Sequence, residues 1–114
     1  MVGNQTFYNQ IVSYDLATGE ETVLASGVGQ EIGYITYSPP TGDIFVADEM
    51  DGKVRRVYAN GSGGYDVEVF ASGFSTSGNS YSDRSFNAVA HDGTPNGRLY
   101  VSDYGAGIIY AIYK

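Results

Sequence analysis

The chain has no cysteine and no tryptophan, and only three prolines in 114 residues. Without thiols there are no disulfides, no thiolate metal ligands and no cysteine nucleophile. Basic side chains are scarce: six Lys and Arg stand against thirteen Asp and Glu, for a formal charge of −7. Phosphate backbones and anionic bilayers repel such a chain, so neither nucleic acid nor membrane is an expected partner. No apolar run approaches the ~20 residues of a bilayer-spanning helix. The opening Met1-Val2-Gly3-Asn4-Gln5-Thr6 lacks the basic start and apolar stretch of a secretory signal, and the compartment stays open. No segment keeps a helical period over two turns.

What is abundant favours strands. Hydrophobic residues make up 42% of the chain, enough for a packed core and against disorder. Eleven Tyr and five Phe suit pleated surfaces that are apolar on the body and wet at the tip. Sixteen Gly fit a chain that turns often. The expected fold class is all-β in a single domain.

An internal repeat organises the chain. Ala25-Ser26-Gly27 recurs as Ala71-Ser72-Gly73, each after an apolar strand studded with acids, Glu20–Leu24 and Asp66–Phe70. Gly42-Asp43-Ile44-Phe45-Val46-Ala47-Asp48 recurs as Gly97-Arg98-Leu99-Tyr100-Val101-Ser102-Asp103. The two spacings differ almost entirely through one long connection, Phe74 to Ser85. Loops absorb such insertions at little cost.

Period-2 alternation and turn residues then mark four strand types. The innermost are Tyr34–Ser38 and Asn87–His91, and the next are Asp43–Asp48 and Arg98–Asp103. A third type appears three times, at Gln10–Leu16, Lys53–Tyr58 and Ile108–Tyr113. The outer type appears twice, at Glu21–Ala25 and Asp66–Ala71. Four-stranded units of this length suit β-propeller blades better than a sandwich. The expected layout is a partial blade at 1–28, a full blade at 29–73 and a partial blade with a long connecting loop at 74–114.

Ile44–Asp48 followed by Asp51-Gly52-Lys53-Val54, and Leu99–Asp103 followed by Gly105–Tyr110, resemble the NHL-type and senescence-marker-protein-like six-bladed propellers. They are also similar to the sorbosone dehydrogenase-like propellers. The resemblance covers nearly the whole chain as repeats. It implies a propeller scaffold whose relatives include lactonases, quinoprotein dehydrogenases, lyases and plain binding modules. It also implies a channel cation: Glu31 and Asn87, with Asp48 and Asp103, could supply oxygens to Ca²⁺. Because both units carry them, Asp48 and Asp103 read first as scaffold, accepting from backbone N–H groups in the turns that follow them.

Two blades bare an edge strand and an apolar face at each end, and Ile108–Tyr113 is a flat apolar edge. The expected remedy is a homo-oligomer, three chains closing a six-bladed ring, or the missing blades of a longer parent. One mismatch is visible: the third strand type outnumbers the outer type, so Gln10–Leu16 of a neighbouring copy competes with Ile108–Tyr113 for one place.

Residues that do not repeat are better candidates for a ligand site. The long loop carries Asn79, Tyr81, Asp83 and Arg84, a mixture of hydroxyl, amide, charge and ring that suits carbohydrate recognition. His91, the only histidine, flanks a turn on the side opposite the expected mouth and reads as a surface or packing residue. No Ser–His–Asp group, phosphate loop or zinc spacing can be assembled. The expected function is a self-assembling, lectin-like binding module, leaning away from catalysis. The alternatives are a fragment of a cation-dependent lactonase-like hydrolase or quinoprotein sugar dehydrogenase, and a structural or engineered assembly unit without ligand.

Overall fold

The computed structural model describes residues 9–30, 32–76, 86–94 and 97–112. Among these the chain is all-β without a helix, in nine strands: β1 (Ile11–Tyr14), β2 (Glu21–Ala25), β3 (Ile32–Ser38), β4 (Asp43–Asp48), β5 (Lys53–Ala59), β6 (Tyr65–Ala71), β7 (Phe86–His91), β8 (Leu99–Asp103) and β9 (Ile108–Ile112). They form three antiparallel meanders: a pair β1-β2, a four-stranded sheet β3-β4-β5-β6 and a three-stranded sheet β7-β8-β9. The expected strands are all present. Tyr113, at the end of the expected last strand, lies outside the described residues.

The repeat extends to the register. The ladder slips between Ile32 and Tyr34 in one inner strand and between Phe86 and Ala88 in the other, so Gly33 and Asn87 hold the same bulge position. Outer strands slip too. Ile11 opposes Ala25 while Val12 opposes Val23, and Val54 opposes Ala71 while Arg55 opposes Val69. The skipped residues, Leu24 and Phe70, both pack against the core. Aligned this way, Ile35 and Val89 are equivalent, and β4 matches β8 residue for residue.

The middle sheet is packed on both faces. On one, Phe45, Ala47 and Val54 meet Val89, Leu99 and Val101 of the three-stranded sheet. On the other, Val46 and Val57 meet Ile11, Ala25 and the loop residue Val28. A strand covered on both sides needs apolar residues at successive positions, and Ile44-Phe45-Val46-Ala47 meets that need. In β8, buried residues alternate with half-buried ones, Leu99 and Val101 against Tyr100 and Ser102. Among the described residues, only one face of its sheet is covered.

One turn shows why glycine is required. Gly52 has φ +68°, and a Cβ there would stand 2.3 Å from the Phe74 carbonyl oxygen. That close approach allows the Phe74 N–H to donate to the Gly52 carbonyl at 3.2 Å. The Val28 N–H donates to the Asn9 carbonyl at 3.2 Å in the same way. The fourth residue of each Ala-Ser-Gly-Φ motif thus closes the sheet it has just left.

Candidate functional site

Asp48 and Asp103 end equivalent strands and do equivalent work. The Gln30 N–H donates to Asp48 Oδ2 at 2.9 Å and the Met50 N–H to Oδ1 at 3.0 Å. The Ser75 N–H donates to Asp103 Oδ2 at 3.0 Å and the Ala106 N–H to Oδ1 at 3.1 Å. Each carboxylate therefore pins the incoming connection from an outer strand with one oxygen and the following turn with the other. The two are not alike in charge balance. Arg55 Nη1 donates to Asp48 at 3.0 Å, while its Nη2 reaches Asp51. For Asp103, burial disfavours the charged form and is the largest single influence. The N–H and hydroxyl of Ser75 and the N–H groups of Ala106 and Gly105 outweigh it together, holding this carboxyl below its usual range.

Of the other residues expected to face a channel cation, Asn87 lies on β7 at the bulge and Glu31 lies outside the described residues. Among the described residues, no three His, Cys, Asp or Glu side chains converge as a metal cage would require. Asn79, Tyr81, Asp83 and Arg84, the expected sugar-binding residues, also lie outside the described residues.

At the opposite end of β4 and β8, the middle and three-stranded sheets splay into a cleft of about 350 Å³. Its wall on the middle sheet is one row of side chains, Asp43 and Phe45 of β4, Arg56 of β5, and Glu68 and Phe70 of β6. Register explains the row, since Phe45 opposes Arg56 and Arg56 opposes Glu68. Arg56 Nε donates to Asp43 at 2.8 Å and Nη1 to Glu68 at 2.6 Å, with its guanidinium 4.3 Å from the Tyr58 ring centroid. Burial draws the Arg56 pKa down, but both carboxylates together push it up further, so the cation is permanent. Phe70 meets Phe45 edge to face at 4.9 Å between centroids.

His91 closes the other side, its ring nearly parallel to Phe45 with centroids 6.1 Å apart. The Gly93 N–H donates to His91 Nδ1 at 2.9 Å, which leaves the proton of the neutral ring on Nε2. The expected packing role fits the Phe45 contact, and a polar edge accompanies it.

Sequence reasoning did not find this cleft, because its polar residues come from five strands and a turn spread along the chain. One signal was present: Arg56 stands in register between two acids, Asp43 and Glu68, once the hairpins are drawn. No protein-family model, curated protein or solved structure matches the chain. The likeness to six-bladed propellers therefore rests on the repeat alone.

Proposed function

We propose that the chain is a self-completing, non-catalytic binding module of β-propeller type, its stacked sheets closing into a ring with further copies of itself. One observation carries the reading: Ile35 is 53% exposed, whereas its equivalent Val89 is 7% exposed. Each side chain faces the sheet that precedes it. Val89 meets a complete inner pair of strands, β3 and β4, but among the described residues the sheet before Ile35 consists of β1 and β2, the outer two. Tyr37, on the same bare face, is 56% exposed.

The far end lacks the opposite part. Among the described residues, the sheet β7-β8-β9 has its inner strands and no outer one, and Ile109 on its far face is 74% exposed. What one end lacks, the other end holds. A second copy can therefore bring β2 to the open edge of β9, with the Val28 N–H reaching the Gly107 carbonyl as Phe74 reaches Gly52. β1 and β9 then claim one place, and β1, the shorter strand, whose one partner β2 is the strand that moves, gives way. Three copies would close six sheets.

Edge pairing is tested by substituting Ile109→Pro, which removes an N–H that points, like the Gly107 carbonyl, to the open edge of β9. The reading expects the variant to stay folded and lose self-association. A variant that associates as tightly as the parent chain would refute it.

A further inference from the structure

We propose that the cleft between the middle and three-stranded sheets is a binding site for a neutral, polyhydroxylated ring, a monosaccharide unit, held by Asp43, Arg56, Glu68 and His91 beside the half-buried ring of Phe70. This deepens the reading as a binding module by naming a ligand class and a place for it. The site is complete within one chain, so it stands or falls apart from self-association.

The argument begins with charge. Arg56 already joins both carboxylates, at 2.8 and 2.6 Å, so no bare cation or bare anion invites a counter-ion. With two carboxylates, one permanent cation and a chain of formal charge −7, an anionic ligand is disfavoured. A cationic ligand would have to displace Arg56 from partners it already satisfies.

Hydrogen-bond type narrows the class further. The lining holds both kinds of group: the second oxygens of Asp43 and Glu68 can accept, while the further N–H groups of Arg56 and the His91 ring N–H can donate. A ligand serving both kinds at neighbouring positions needs groups that donate and accept at once, and hydroxyls do so. A ring bearing several hydroxyls has in addition an apolar C–H face, which matches the half-buried ring of Phe70. A volume of about 350 Å³ is at the small end of ligand sites and suits one ring.

The test is titration of the 114-residue chain with D-glucose, D-galactose and D-mannose, followed by the His91 ring-proton resonances and by saturation transfer to the sugar. D-glucuronate and D-glucosamine serve as charged analogues. The proposal expects at least one neutral sugar to bind in the millimolar range with His91 shifts. Glu68→Gln, at a half-exposed position, should weaken it about tenfold while the melting temperature holds. Ile35→Ser, on the bare far face, should leave sugar affinity unchanged. The proposal fails if the folded chain shows no His91 response to any neutral sugar, if either charged analogue binds more tightly than all three, or if Glu68→Gln binds as the parent does. Loss of self-association with sugar binding intact would remove the ring and leave this site standing.

Discussion

Ile35 and Val89 occupy one position of the repeat and live in different surroundings. Both are β-branched, both sit in the inner strand, and both oppose a fully buried valine of the next strand, Val46 and Val101. Val89 is buried against the middle sheet, and Ile35 is half in water. Residue type does not account for the difference, so neighbours must. A second pair points the same way: Phe45 and Ala47 of β4 are buried, while the equivalent Tyr100 and Ser102 of β8 are only half-buried. The middle sheet shows what each end of the molecule would look like with a neighbour in place.

The largest effect expected from breaking this symmetry is at the strand-end carboxylates. Asp48→Ala removes the acceptor of two N–H groups and one of the two carboxylates that pair the largely buried Arg55, which keeps Asp51. It should cost about 3 kcal/mol in urea unfolding, since buried donors lose their acceptor and a charge-assisted bond is lost with them. Asp103→Ala, with N–H and hydroxyl donors from the loop and turn, should cost about 1–3 kcal/mol. Equal losses would mean that Arg55 adds nothing to the first site.

Gly52→Ala comes next. The positive φ and the approach to the Phe74 carbonyl should together cost about 2 kcal/mol, read as a lower melting temperature. An alanine at Gly42, whose added Cβ meets nothing within 4 Å, carries the strain of positive φ without the clash and should cost less.

The comparison itself is sharpened by truncating both members. Val89→Ala deletes two buried methyl groups and should cost about 2 kcal/mol. Ile35→Ala should shift the stability of the dissociated chain by under about 0.5 kcal/mol, while weakening self-association. Urea unfolding at low protein concentration separates the two.

The smallest effect is in acid. Asp103 is held below its usual pKa in the folded chain, so its contribution to stability is full above the unfolded value of about 3.9. That contribution is lost as pH falls through the folded value. Stability should therefore decline below about pH 4, with a shallower decline in Asp103→Asn, as followed by melting temperature against pH.

Much of the strand plan was legible before any coordinates. Glu21–Ala25 and Asp43–Asp48 have the expected limits, because alternation and the flanking turn residues coincide there. The bulges at Gly33 and Leu24 were not legible, since a skipped residue leaves the same apolar letters in the sequence. Asp48 and Asp103 were recognised as a repeated pair, and their use on backbone N–H groups agrees with one of the two readings they allowed. Arg55, which sits two residues into the next strand, was invisible to that argument because only the hairpin folds it back. The cleft was hidden for a similar reason. Asp43, Arg56 and Glu68 meet across strands, and a register must be drawn before three scattered charges become one row.

The most direct test of the account is the mass of the 114-residue chain in solution, measured by sedimentation equilibrium across a concentration series. The account predicts a mass that rises with concentration from one chain of 12.2 kDa toward three. A folded chain that keeps the mass of one copy at every concentration, with Ile35, Tyr37 and Ile109 still in water, would contradict it.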